Sequence, residues 1–500
     1  MKPSRTLRLS TRRVALLATL VGLLPPLPVL GQQSVADHPR VVEAVHLLDA
    51  WIDAEQAYRG IPGASLAVIH DQEQVLAKGY GFAHVETGVP ARSDTQYSIC
   101  SISKLFTSVG VMQLRDAGRL RLSDPVAQHL EWFDIRETHP EAGPVTVEGI
   151  LTHSSGLPRE SGYPYWTGPD YPFPTRDQVV SRVSEQETLY PARTYYQYSN
   201  LGLTLAGEIV AALSGHSYDE YIHGQLIEPL GMANTFTEFR DEDRGGRLAT
   251  GYSGVGRDGK RTVIPDYSIR GIAPAAGFVS TVEDLGRFAS WQFRALAGKD
   301  DGILDRNTLR EMHRVHWMEP DGGATYGLGF SVSQSGGKTF VGHGGSCPGY
   351  RSQLVLRPQD AIATTFMTNG HDVNAGSYAR RAYEIVAPAI LAAVEDPDAV
   401  AKPDQRLARL TGTYDRPLGG ESLVLEWQGQ LAVVGFPTAD PLTSLIKLRH
   451  VEGDTFRRVR DNGDLGEAFT FEELPDGSMR MWRNDNYSVR PAMPAGRPRD

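Results

Sequence analysis

Apolar residues crowd one broad side of positions 38–58. Val41, Val42, Ala44, Val45, Leu47, Leu48, Trp51 and Ile52 recur at helical spacing, which predicts a helix there. Over 63–69 and again over 74–83 the pattern turns β-like, with His70-Asp71-Gln72-Glu73 between the two runs, which predicts a hairpin. Helical spacing returns over 102–114, and Gly118 supplies the glycine that commonly closes a helix. Residues 119–323 mix short helical stretches with loops rich in Pro, Gly and Tyr, such as 162–174. Strand-like runs follow at 326–332, 339–341, 350–356 and 361–367, and then a helix over 374–394. Strands lie at both ends with helices between them, an α/β arrangement in which distant strands must pair.

The pattern changes at both extremities. A polar, proline-marked linker at 397–405 leads into short alternating runs at 411–414, 422–427, 430–436, 446–450, 455–459, 468–472 and 479–483. Turn signals such as Asp461-Asn462-Gly463-Asp464 and Pro475-Asp476-Gly477 separate them. Residues 406–500 therefore read as an all-β domain, a barrel or a curved sheet. At the other end Lys2, Arg5, Arg8, Arg12 and Arg13 precede an apolar run over 14–24 that Pro25 and Pro26 interrupt. That run is short for a membrane span and has the anatomy of a signal peptide over 1–31. The expectation is an exported protein, periplasmic or extracellular, with no membrane span after signal removal. Thr11-Arg12-Arg13 does not decide between the general and the twin-arginine export route.

Composition narrows the function classes. Five hundred residues at 40% hydrophobic and 22% charged are ordinary globular chemistry, and two cysteines exclude a scaffold built from disulfides. The net charge is −10, and leader removal takes five basic residues and no acidic one. With no basic run in the body, the chain argues against nucleic-acid binding. The 14 histidines lack ligand spacing, so neither a metal site nor a cofactor is expected. Gly254-Val-Gly-Arg-Asp-Gly259 spells a dinucleotide fingerprint, but no strand precedes it and no helix follows, so it reads as a turn. The chain has no G-x-S-x-G and no H-E-x-x-H.

What remains is a Ser-x-x-Lys pair, which puts hydroxyl and amine on one face of a helical turn, where the amine can take the hydroxyl proton. The chain holds three copies: Ser101–Lys104, Ser335–Lys338 and Ser444–Lys447. The second falls in a glycine turn, and the third falls in the β-rich tail, where alternation separates the two side chains. Only the first opens an amphipathic helix, and even there a helix cap is the plainer reading. Tyr198-Ser-Asn200 alone is a loop before a helix over 201–213, with Asn200 as a candidate cap. His343-Gly-Gly345 alone is a strand end and a turn. Their weight comes from occurring together, in this order.

Taken together, these strings resemble the serine β-lactamase and penicillin-binding hydrolases, in the branch of class C β-lactamases, D-Ala-D-Ala carboxypeptidases, D-aminopeptidases and related esterases. The likeness runs from about Gly60 to Ala392 and includes Ile150-Leu-Thr-His-Ser-Ser-Gly-Leu-Pro158, Glu228-Pro-Leu-Gly-Met232, Ala276-Gly-Phe-Val-Ser-Thr281 and Tyr326-Gly-Leu-Gly-Phe330. The resemblance implies an antiparallel sheet flanked by helices in a catalytic domain over 32–396, with an appended β domain. It implies Ser101 as nucleophile, and Lys104 and Tyr198 sharing the proton traffic, Tyr198 as phenolate or as hydrogen-bond relay. Asn200 would bind the substrate amide. Backbone N–H groups of Ser101 and Ser346, beside Gly345, would form the oxyanion hole.

His343 stands where β-lactamases usually carry lysine. An imidazole of ordinary pKa loses its charge near neutrality. The expectation is therefore that an anionic substrate binds more weakly from pH 6 to 8, or that the substrate carries no carboxylate. Class A carbapenemases, more distant relatives, carry a disulfide at matching positions, which implies a Cys100–Cys347 bond; two buried free thiols are the alternative. The implied activity is acyl-enzyme hydrolysis of β-lactam or D-amino-acid amides, on a small-molecule or peptide substrate. A carboxylesterase of the same fold and a penicillin-binding sensor that never turns over stay open. Oligomeric state is not legible.

Overall fold

The computed structural model describes residues 34–299, 302–398 and 404–492, so the leader and most of the 397–405 linker lie outside the described residues. The strands Gly63–His70 and Glu73–His84 form the expected hairpin around Asp71 and Gln72. Some three hundred positions later, Ile362–Thr368 adds to the free edge of Gly63–His70, antiparallel, from Ala64 opposite Thr368 to His70 opposite Ile362. Tyr350–Arg357, Lys338–Cys347, Ser331–Ser335, Thr325–Tyr326 and Trp317–Met318 continue the sheet on that side, and Val89–Pro90 ends it on the other. Every pairing in these nine strands is antiparallel.

The run at 63–69 is apolar but for the hydrogen-bonded Ser65 because both faces of the sheet are covered. Ala64, Leu66 and Val68 join a core shared with the helices Pro39–Tyr58 and Ala375–Glu395, where Trp51 and Tyr378 meet at 5.4 Å. Ala67 and Ile69 face the opposite core, shared with the helices Ser103–Asp116 and Val282–Leu296. The helices that carry Lys104 and Asn200 belong to this second side.

Two strand readings need correction, both because of glycine. The single strand expected at 326–332 is broken into Thr325–Tyr326 and Ser331–Ser335. Gly327 and Gly329 turn the chain there, and a Cβ at either would come within 2.0 Å of Met312 O or Ser108 Oγ. The strand expected at 339–341 instead runs on as Lys338–Cys347. Glycines at 342, 344 and 345 look like a turn in sequence but serve close packing: a Cβ on Gly342 would meet Leu354 O at 2.1 Å.

The C-terminal segment is a closed eight-stranded barrel from Gly412–Asp415 to Asn486–Arg490, shut by Asp415 pairing with Val489. Its interior holds Tyr414, Val424, Leu431, Phe456, Phe469 and Met481. The closing strand Asn486–Arg490 carries apolar side chains only at Tyr487 and Val489, neither of them buried, and it is the one barrel strand that the sequence reading left out. Leu423, Leu425, Ala432 and Val434 point outward into the core of the two terminal helices. Trp51 Nε1 donates to Thr438 O at 2.8 Å, and Arg381 pairs with Asp440 at 2.9 Å across the same seam. Among the described residues no helix is long and apolar enough to cross a membrane.

Candidate active site

The segment before Ser101 is fixed by a short pairing of Tyr97–Ser98 with Val279–Ser280, continued by Ile99 N donating to Phe278 O at 2.8 Å. Cys100 then adopts a left-handed conformation (φ 52°), which turns the chain sharply into a 3₁₀ turn, Cys100–Ile102, and on into the helix Ser103–Asp116. Ser103 Oγ pins that entry, donating to Cys100 O at 2.5 Å and accepting from Phe278 N at 3.0 Å. Ser101 is left half-buried at the helix mouth. Cys100 is joined to Cys347 by a disulfide (Cα–Cα 5.7 Å), which ties the Ser101 turn to the end of the Lys338–Cys347 strand. Gly345 lets the two approach, since a Cβ there would lie 2.2 Å from Ile99 O.

Lys104 lies one turn on and is wholly buried. Its Nζ is 3.2 Å from Ser101 Oγ, 2.8 Å from Asn200 Oδ1 and 2.7 Å from Ala275 O. The last two are carbonyl oxygens and can only accept, so two N–H bonds are committed and the remaining position faces the serine hydroxyl. Burial drives the Lys104 pKa well below its usual value; Glu160 opposes this and Arg159 adds to it. A neutral amine in this cage aims its lone pair at Ser101 Oγ.

Tyr198 lies over this pair, its ring centroid 4.9 Å from Lys104 Nζ, 4.8 Å from the Arg159 guanidinium and 4.2 Å from the His153 ring. Burial, helped by Tyr326, lifts its phenol well above the ordinary value, against a hydrogen bond with Ser101 and the Arg159 charge. Of its two expected forms, burial favours the neutral phenol and the Arg159 charge favours the phenolate. Asn200 is not the cap of its helix. Ser199 caps it, accepting from Gly202 N at 2.9 Å, and Asn200 is the first residue of Asn200–Ser214. Its Nδ2 donates to both Glu160 oxygens at 3.0 Å while Oδ1 accepts from Lys104.

His343 sits across the cleft on the Lys338–Cys347 strand. Its Nδ1 lies 2.6 Å from Gly344 O, so Nδ1 carries the proton, and Nε2 accepts from Tyr326 OH at 3.3 Å. Burial first, and then the Lys104 charge, push its pKa down to about 4. That places the loss of its charge below the window of pH 6 to 8 expected from an ordinary imidazole. Gly345 pairs with Ser352, and Ser346, exposed, pairs with Arg351.

Ser101, Tyr198, Asn200, His343, Gly345 and Ser346 line one cleft of about 1070 Å³. Trp166, Tyr171 and Ile264 form an apolar wall, and Arg351, Gln353, His371 and Asp372 form a polar one. Among the described residues no group of His, Cys, Asp and Glu is placed to hold a metal ion. Sequence reasoning missed Arg159, Glu160, His153 and Tyr326. His153 and Tyr326 lie inside the strings 150–158 and 326–330, and Arg159 and Glu160 directly follow the first; those strings were the only signal.

A family model described as Beta-lactamase matches residues 48–387. The chain is similar to Beta-lactamase-like protein 2 of Dictyostelium discoideum, 27% identical over 64% of this chain and 58% of that protein, so it spans little more than half of that relative's length. It is 28% identical to penicillin-binding protein 4 of Amycolatopsis lactamdurans over 73% of this chain and 96% of that one. Among solved structures, the octameric penicillin-binding protein homologue from Pyrococcus abyssi superposes with a TM-score of 0.60 at 26% identity, covering 89% of this chain and 99% of the other. The D-amino acid amidase from Ochrobactrum anthropi SV3 shares the fold, with a TM-score of 0.56 at 24% identity over 71% of this chain and 99% of that one.

Proposed function

Since this chain belongs to the beta-lactamase family of hydrolases, we propose that it is an exported serine hydrolase that opens β-lactam or D-amino-acid amides through an acyl-enzyme. In this reading residues 32–396 carry catalysis and 406–500 form an accessory barrel. Export is supported by the leader-like composition of 1–31 together with a disulfide, a bond that persists in oxidising compartments.

One observation carries the reading: the buried Lys104 amine, held by two carbonyl oxygens, with its third position on Ser101 Oγ. Ser101 gives its proton to Lys104 as Oγ bonds to the substrate carbonyl carbon. The oxyanion formed is held by N–H groups of Ser101 and Ser346, a donor of this kind contributing about 2.7–4 kcal/mol. As the C–N bond breaks, the proton on Lys104 passes through the Tyr198 hydroxyl to the leaving nitrogen. Water then attacks the acyl-enzyme, loses its proton along the same route, and Ser101 is restored. Neutral His343 supports a second reading, a carboxylesterase, because it offers no charge to a substrate carboxylate.

The test is a parallel assay of wild type and Ser101→Ala on a chromogenic cephalosporin, a D-Ala-D-Ala peptide and a short-chain nitrophenyl ester. Turnover of one of these, abolished in the variant, is the expected result and selects the substrate class. Turnover retained by Ser101→Ala overturns the proposal. A single equivalent of product released without turnover identifies a sensor instead.

A further inference from the structure

Beyond the residues expected to react, one carboxylate gathers the site together. Glu160 accepts from Asn200 Nδ2 on both oxygens at 3.0 Å, from Arg159 Nε at 3.1 Å, from Trp166 Nε1 at 3.0 Å, and from Tyr165 OH. Two of these donors come from the aromatic loop 162–174, and Trp166 itself lines the cleft. Asn200 in turn presents Oδ1 to Lys104. An amide that turned over would aim N–H groups at the amine and a carbonyl oxygen at the carboxylate, a repulsive contact at each end.

We propose that Glu160 is a positioning residue of this hydrolase: its carboxylate locks the Asn200 amide with oxygen toward Lys104, and so holds the general base in register with Ser101. This rests on the serine-hydrolase reading. Glu160 touches neither Ser101 nor Lys104 and acts through Asn200. Its charge has a second consequence for the base. The groups around Lys104 are Ser101 on its own helix, Asn200 and the Ala275 carbonyl from two other helices, Tyr198, His153, Arg159 and Glu160 from loops, and His343 from the sheet. Glu160 is the anion in that set, so removing its charge lowers the Lys104 pKa further, and removing Arg159 raises it.

The experiment titrates ε-¹³C-labelled lysine by NMR in the full chain, with the Lys104 signal assigned by its loss in Lys104→Met. It compares wild type, Glu160→Gln and Arg159→Ala, and records kcat/KM against pH for each. In Glu160→Gln the Lys104 midpoint is expected to fall by about one unit, and the acid limb of kcat/KM to move down with it. Arg159→Ala moves both upward. Coincident midpoints together with coincident kcat/KM profiles in wild type and Glu160→Gln overturn the proposal. Should that variant not fold, Glu160→Asp decides: kcat about tenfold lower at unchanged KM supports positioning, and wild-type kcat overturns it. The titration needs no substrate, so a midpoint shift in Glu160→Gln beside a wild type without turnover sinks the hydrolase reading and leaves only the coupling of Glu160 to Lys104 standing.

Discussion

Two of the three Ser-x-x-Lys strings end in opposite physical states. Ser335 and Lys338 face each other across a Gly336-Gly337 hairpin turn, whose glycines sit at φ 56° and 74°. Lys338 keeps 39% of its side chain in solvent and donates to Tyr383 OH at 2.9 Å, with Asp360 at 3.4 Å; the Tyr383 bond raises its pKa. Lys104 has no exposure, sits against a serine, and is driven toward neutrality. The three-residue separation is shared; the helix, the burial and the carbonyl cage are not. Basicity of use to catalysis comes from the environment that desolvates the amine, and the motif supplies only the reach.

The largest test of that contrast removes each amine in turn. Lys104→Met is expected to lower kcat by about 10²–10⁴-fold, the usual contribution of a general base. Lys338→Met should leave kcat unchanged and shift stability by no more than about 0.5 kcal/mol, as befits a surface substitution whose partner Asp360 still has Arg357. Steady-state kinetics and thermal unfolding of both variants check this. Comparable losses of kcat would erase the distinction.

The contrast also shows what a sequence can carry. Ser101, Lys104, Tyr198, Asn200 and His343 were reachable because each sits in a short string whose order along the chain is itself a signal. Glu160 and Arg159 were not, because a lone charged pair has no spacing to betray it, and only the fold brings Glu160 to Asn200. The strands Gly63–His70, Tyr350–Arg357 and Ile362–Thr368 were legible as strand-like runs, the two-residue edge strands Val89–Pro90 and Trp317–Met318 were too short to show a pattern, and the Lys338–Cys347 strand was cut short because glycine reads as a turn where here it permits contact with Ile99. The barrel strand Asn486–Arg490 closes by backbone pairing, and its two apolar residues, Tyr487 and Val489, stay outside the buried core and make too short a pattern to stand out.

The same strand that starts with solvent-facing Lys338 carries buried His343, and pH separates the two ends. The folded-state pKa of His343, about 4, lies below the usual 6.5, so between those values the unfolded chain binds a proton that the folded one refuses. Stability is therefore full above about pH 6.5 and falls as pH drops toward 4, by up to about 3 kcal/mol from this group. His343→Gln should remove that component, seen as a smaller difference between denaturant unfolding at pH 7 and at pH 4.5. KM for an anionic substrate should stay flat from pH 6 to 8 in the native protein. A rise in KM over that interval, absent in His343→Gln, would mean that the imidazole is charged in the cleft after all.

The smallest effects belong to the glycines at the two ends of that strand, and they sharpen the contrast by separating stability from chemistry. An alanine Cβ at Gly337 meets nothing within 4 Å, so its cost is the left-handed backbone alone, about 1–2 kcal/mol, with kcat untouched. At Gly345 the Cβ would fall 2.1 Å from Ser352 Oγ and 2.2 Å from Ile99 O, two residues before Ser101. Backbone must move there, at about 1–3 kcal/mol, and the displacement reaches Ser101 and Ser346. Gly345→Ala should accordingly lose kcat out of proportion to its change in unfolding free energy, while Gly337→Ala loses stability only. Equal kcat in the two variants would show that the close approach at 345 serves packing and not the geometry of the hydroxyl.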